Sequence, residues 1–287
     1  MHKPQERKNR IVEDVERIAA LEMKMTVFNN ERSLSHLETK LTATKMGGAT
    51  LLMDRQSPQS SYYNRVIGFG PAEAERLPDI LRHYGTANIV PCFDMTPDKQ
   101  SGAVAEALSS QGFVPRLQLV FLKRELEPET GPGPGPRNQG EAGVPALSVR
   151  RVATPEEAKR FIALIGRSNG GAVKLDEQGI ERKCRYFCRD DFQNFVAYAD
   201  EDPAAMGSLF IRGEEGYVAN DFTFPDYRGQ GLQTALIRHR LQAAAALGLK
   251  RVYVDVEFGT ASHRNMLKAG FEQVYMNTFW MKSAIEE

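Results

Sequence analysis

The chain has 287 residues, 41% of them hydrophobic, and its Lys plus Arg and Asp plus Glu totals are both 37. Zero formal net charge gives no general attraction to nucleic acid or to an anionic membrane surface, and no apolar run approaches the roughly 18 residues that span a bilayer. Three cysteines (Cys92, Cys184, Cys188) make no disulfide scaffold, and no apolar core follows the basic opening MHKPQERKNR, so a cytoplasmic protein with reduced thiols is expected.

In chain order, NRIVEDVERIAALEMK places Ile11, Val15, Ile18 and Met23 near helical spacing, which predicts an amphipathic helix. NRVIGFGPAEAERLPDILRHYG reads as a strand, a turn at Pro71 and a helix. The strand NIVPCFDM (88–95), the helix AVAEALSSQ and a strand pair in GFVPRLQLVFLKR (112–124) follow. Residues 127–145, EPETGPGPGPRNQGEAGVP, have no periodic apolar pattern and are dense in Gly and Pro, so they read as a linker.

Beyond it, LSVRRVA is a strand candidate, and Thr154 with Glu157 is the signature of a capping box that opens the helix PEEAKRFIALIGRS. LDEQGIERKCRYFC is a weaker helix; its Cys184 and Cys188 have helical spacing but no accompanying His or Cys pair, so core packing is favoured over metal. FQNFVAYAD, AMGSLFIRG and EGYVANDFTF predict an antiparallel meander. RVYVDVEF (251–258), a short helix and a second strand pair in GFEQVYMNTFWMK (270–282) complete the chain. Gly112-Phe113 and Gly270-Phe271 each stand nine residues before Phe121 and Phe279, after the same strand–helix order. An α/β unit repeated twice is the expectation.

The stretch FPDYRGQGLQTALI (224–237) joins a strand to a helix through two glycines. Unpaired amides at a helix start, together with the helix dipole, make an anion site that glycine lets a pyrophosphate approach. The pattern is no P-loop, because no Gly-Lys-Ser/Thr follows, and no dinucleotide fingerprint, because a third glycine is missing.

Here the chain resembles the GNAT acyltransferase superfamily, whose pyrophosphate loop reads Arg/Gln-x-x-Gly-x-Gly/Ala. The match is Arg228-Gly229-Gln230-Gly231-Leu232-Gln233, with Gln233 in place of the final small residue. The resemblance covers residues 146–287 and implies two tandem α/β (α+β) domains, each a mixed, mostly antiparallel sheet flanked by helices. Residues 1–126 look like a degenerate copy, since no Arg-Gly-x-Gly stands between Pro71 and its helix, and 146–287 would be the catalytic domain. The co-substrate implied is acetyl-CoA or another acyl-CoA, with no metal. Phe222, Thr223 and Phe224 would meet the pantetheine arm, and Arg228 through Thr234 the pyrophosphate.

Amine acylation needs a base, and Asp255 is ranked ahead of Asp221, with Glu257 on the same strand face as Asp255. The family's usual acid, a Tyr four residues before Gly-Phe, is Met266 here, so Tyr275 or water would protonate the leaving thiolate. The family's Asn near that helix start is replaced by Gly259-Thr260; Ser262, Arg264 and Asn265 are polar alternatives that could reach the CoA arm. Ser-Asn-Gly-Gly at 168–171 reads either as an acceptor-pocket loop or as a helix stop. The resemblance implies acyl transfer to an amine of a small molecule, by direct attack on the thioester, with no nucleic-acid or membrane partner and with homodimerisation open. A non-catalytic acyl-CoA-sensing module, or transfer to a hydroxyl or thiol, are the alternatives.

Overall fold

The structure, a computed structural model, describes residues 4–35, 40–127, 146–171 and 173–283. The expected linker at 127–145 lies outside the described residues apart from Glu127. In chain order the elements are α1 (Pro4–Glu31), β1 (Thr42–Met46), β2 (Ala49–Met53), β3 (Arg65–Ile67), α2 (Leu77–Gly85), β4 (Cys92–Met95), α3 (Gly102–Ser110) and β5 (Phe113–Glu125). Then come β6 (Leu147–Val152), α4 (Pro155–Ser168), α5 (Glu177–Phe187), β7 (Phe192–Ala199), β8 (Asp202–Arg212) and β9 (Glu215–Thr223). The chain closes with α6 (Leu232–Ala246), β10 (Arg251–Glu257), α7 (Ala261–Lys268) and β11 (Glu272–Lys282). Each expected terminal strand pair is one continuous strand, β5 and β11. The β1–β2 hairpin, which turns at Gly47-Gly48, carries no clear signal beyond those glycines.

The chain divides into two compact units, the first comprising Met1–Phe121, Val256–Phe258 and Val274–Glu287, the second Leu122–Asp255 and Gly259–Gln273. Contiguous halves were the expectation. Instead most of β11 belongs with the N-terminal residues, where it pairs antiparallel with β4 through Thr278↔Met95, Phe279↔Asp94 and Trp280↔Phe93. It covers an edge of β4 that would otherwise present unpaired backbone groups.

The first unit orders its strands β1-β2-β3-β4-β11-β5. Its core is knitted by edge-to-face aromatic pairs, Phe69–Phe93 and Phe93–Phe113, both at 5.0 Å between ring centroids. In the second unit the order is β10-β9-β8-β7-β6, with β7, β8 and β9 in the expected antiparallel meander. Here α4 starts where the sequence signals it. Thr154 Oγ1 accepts from the Glu157 amide while Glu157 accepts from the Thr154 amide. Its Phe161 packs 5.9 Å from Phe187 of α5, burying the apolar stripe that the 3.6-residue spacing creates.

The repeat is visible in the pairing. β3 runs parallel to β4 with Arg65 opposite Cys92, and β9 runs parallel to β10 with Tyr217 opposite Tyr253. No helix among the described residues is long and apolar enough to cross a membrane.

Candidate active site

Three local devices in the second unit build a cleft, and the first is a fork. The parallel pairing of β9 and β10 extends over Arg251↔Glu215, Val252↔Gly216 and Tyr253↔Tyr217. Beyond Tyr217, β9 carries a bulge: Met206 faces Phe222 but Ser208 faces Ala219, so three steps on β9 oppose two on β8. Asn220 takes the left-handed conformation this needs (φ 56), which Asn tolerates better than most residues.

Polar groups lock the bulge from both sides. Asn220 Nδ2 donates to Ser208 Oγ (3.2 Å), which donates to the buried Asn194 Oδ1 (2.7 Å). Arg240, fully buried on α6, grips the Asp221 carboxylate through Nη2 (2.5 Å) and Nη1 (3.1 Å) and also donates to the Ser208 and Leu236 carbonyls. Gly207 makes room for this pair, since a Cβ there would come within 2.7 Å of Arg240 Nη1.

The second device is the loop. Pro225–Tyr227 forms one 3-10 turn, and Gly229 (φ 81) and Gly231 (φ 82) then adopt left-handed conformations in which side chains are strained. Gly231 is the N-cap of α6 and supplies no side-chain cap, and the first turn of the helix holds no acidic residue. The first-turn amides and the positive end of the helix dipole are therefore left to an outside anion.

The third device is a side-chain bridge from α6 to α7. Gln233 Nε2 donates to Ser262 Oγ (3.0 Å), and Asn265 Nδ2 donates to Gln233 Oε1 (2.7 Å). The glutamine that departs from the family loop thus ties together the two helices on one side of the cleft. The bridge unites three residues that the sequence nominated separately.

The resulting cleft, of about 540 Å³, is lined by Asp221, Phe222, Thr223, Tyr227, Arg228, Gly229, Gly231, Leu232, Gln233, Thr234, Ala261 and Asn265. Most of the nominated cofactor-binding residues meet here. Phe224 is buried and packs edge-to-face on Phe222 at 5.1 Å, while Gln230 is exposed and reaches the Asp226 carbonyl at 3.5 Å. Tyr227, which the sequence reading passed over, hydrogen-bonds to Asp202 (3.3 Å); desolvation first, then that carboxylate, raises its phenol pKa. A spacing argument could have found it, since it stands directly before Arg228.

The acid–base candidates separate. Asp221 lines the cleft, but both of its oxygens are held by Arg240. Asp255 is not a lining residue of the cleft; it is half-buried just past the last paired residues of the fork, where it accepts a 2.6 Å hydrogen bond from the Tyr217 hydroxyl. Tyr275 is in the first unit, its ring stacked 4.6 Å from that of Phe121, and it is not a lining residue of the cleft. Met266 is fully buried. Among the described residues no cluster of three or more His, Cys, Asp or Glu could hold a metal ion.

A model of the "Acetyltransferase (GNAT) family" matches residues 164–271. Among solved structures, a GCN5-related N-acetyltransferase from Kribbella flavida is similar over 93% of this chain and 95% of its own, at a TM-score of 0.61 and 18% identity. A GCN5-related N-acetyltransferase from Sphaerobacter thermophilus follows at 0.58 and 13% identity, covering 83% of this chain and 81% of its own. A tandem GNAT protein from the clavulanic acid biosynthesis pathway is similar at 0.52 and 12% identity, over 86% of this chain and 85% of its own. No curated protein sequence matches the chain. At these identities the structural likeness speaks to fold, and the family match speaks to the second unit, where the cleft lies. Residues 164–271 thus form a domain of the GNAT acetyltransferase family, within a chain that has the tandem GNAT fold.

Proposed function

We propose that the second unit binds acetyl-CoA in this cleft and transfers its acetyl group to an amine of a small molecule. The single observation that carries the reading is the uncapped Arg228–Gly231 loop set at the end of a forked strand pair. The loop amides and Arg228 suit a pyrophosphate. The edge of β9 beyond Tyr217, no longer paired to β10, can take up the amides of a pantetheine arm as a further strand would. A groove of about 820 Å³ shares Thr234 and Asn265 with the cleft and is lined by Lys123, Arg124, Arg238 and Lys268 together with Glu125, Glu127 and Glu272; its cations would meet the phosphoadenosine end.

In this reading the amine nitrogen attacks the thioester carbonyl carbon. A C–N bond forms, the C–S bond breaks, and the thiolate leaves to be protonated by solvent. Asp255 takes the proton lost by the amine, directly or through one water, and Tyr217 holds it in place. Asp221 keeps a structural duty, because both of its oxygens are taken up by Arg240 in pinning the bulge. Most of the rate would come from holding thioester and amine together. The first unit, without such a loop, would hold no CoA.

Free-thiol release from acetyl-CoA across a panel of primary amines tests the proposal. Turnover should appear with at least one amine. Asp255→Asn should cut kcat by about 10²–10⁴ while the Kd for acetyl-CoA stays unchanged. Met266, buried where the family carries its tyrosine, favours a second reading, acyl-CoA binding without chemistry. Tight binding with no thiol release on any amine would select that one.

A further inference from the structure

We infer that a groove on α4 and α5 receives the acyl acceptor, that this acceptor carries a carboxylate on an apolar body, and that Arg167 selects for the carboxylate. The inference rests on the acyl-transfer reading above for the word acceptor, but not for the binding chemistry. The groove has a volume of about 720 Å³ and apolar walls that include Ile162, Val173 and Ile180. Among the described residues its charged lining residues are Lys159 and Arg167, with no carboxylate. In a chain of zero net charge, that local excess is a selective feature.

The two cations are not equivalent. Lys159 shares its charge with Glu156 at 3.2 Å, one turn back on α4. Arg167 has no ion-pair partner among the described residues, and its guanidinium carbon lies 3.8 Å from the centre of the Phe224 ring. A guanidinium stacked on an aromatic face keeps its N–H fork pointing outward along the ring plane, the geometry that takes a planar carboxylate through two bonds.

The groove is also shaped by a tight chain reversal. The Gly171 amide donates back to the Gly166 carbonyl (3.1 Å), and a Cβ at Gly166 would stand only 2.8 Å from the Val173 nitrogen. Any side chain at Gly166 would push that wall away.

Position ties the groove to the chemistry. Phe224, beneath Arg167, packs on Phe222, which lines the cleft, and Tyr227 in the cleft wall is close enough to feel the Arg167 charge. Arg167 therefore belongs to the partition between groove and cleft. A ligand whose carboxylate met its fork and whose apolar body lay on Ile162 and Ile180 would hold an adjacent amine toward the cleft. Amines of the α-amino-acid type with apolar side chains have this layout.

The test is a calorimetric titration of the full chain with matched pairs that differ only by the carboxylate: leucine against isopentylamine, and phenylalanine against phenethylamine. In the wild type the acid-bearing member should bind about tenfold tighter or better. In Arg167→Gln the ratio within each pair should fall toward one, and Arg167→Lys should restore part of it. A wild-type ratio near one, no binding by either member, or a ratio unmoved by Arg167→Gln would overturn the inference. Acetyl-CoA titrated into the same samples reports separately on the acyl-CoA reading. Should it fail to bind while the amino acids still show the Arg167-dependent ratio, the function is wrong and the carboxylate site stands.

Discussion

The two units carry the same strand–turn–helix–strand sequence of elements and differ at two points. In the second unit the turn after β9 opens into Arg228-Gly229-Gln230-Gly231 and leaves the amides of α6 uncapped. In the first, the turn after β3 is closed by the chain's own Glu73. Its carboxylate accepts from the amides of Gly70 (3.2 Å) and Gly48 (3.0 Å), so an internal anion fills the place of an external one. The helix that follows, α2, begins Leu77-Pro78-Asp79, giving up one amide and adding a carboxylate to its own first turn.

The strands that follow the turns differ in what their aspartates meet. Both parallel pairings span three residues, Arg65↔Cys92 through Ile67↔Asp94 and Glu215↔Arg251 through Tyr217↔Tyr253, and β9 runs on beyond its pairing into the bulge. Of the aspartates on β4 and β10, Asp94 is buried against Arg65 (3.4 Å) and Asn277 (2.6 Å), while Asp255 is half-buried and accepts from the Tyr217 phenol (2.6 Å). Arg65 is held from its other side by Glu22 at 2.7 Å; burial disfavours its charge, and the Glu22 and Asp94 carboxylates outweigh that and raise its pKa. One copy has thus closed its loop with its own carboxylate, and the other has kept its loop open. A fold can be repeated without its site being repeated.

Two substitutions probe this contrast on stability, the larger first. Asp221→Asn leaves the fully buried Arg240 without its counter-charge, and should cost about 3 kcal/mol, read as a drop in the urea midpoint with the slope unchanged. It should also weaken acetyl-CoA binding, because the bulge it pins shapes the cleft. A fully stable Asp221→Asn protein would mean the pair is not what holds the bulge. Glu73→Ala should cost less, about 1–2 kcal/mol, for two amides that lose their acceptor. It should create no second acetyl-CoA site, since α2 lacks the glycines that bring a backbone close. A second site gained in Glu73→Ala would show that one carboxylate, and not the whole loop, separates the two copies.

Much of this was legible in the residues. The capping box at Thr154 and Glu157, the alternating meander and the Arg-Gly-x-Gly loop are local signals, and local signals survive reading in one dimension. The hidden features depend on pairing. Nothing in the sequence around Val274 says that β11 closes the edge of β4, because an exchanged strand looks like any other strand. Asp221 and Asp255 both sit on strands near the loop, and their sequence neighbours do not reveal that one meets Arg240, nineteen positions downstream, and the other Tyr217. Gln233 read as a blemish in the motif for the same reason; its partners Ser262 and Asn265 lie on another helix.

The central claim is that the second unit alone is built to take an acyl-CoA, through the loop that ends at Gly231. Calorimetric titration of the full chain with acetyl-CoA, beside Gly231→Glu, tests it most directly. Glutamate there would strain a backbone at φ 82 and set a negative charge where the pyrophosphate belongs. The account predicts one site per chain in the wild type and no measurable binding in a folded Gly231→Glu protein. Two sites per chain, or a Gly231→Glu protein that binds as the wild type does, would contradict it.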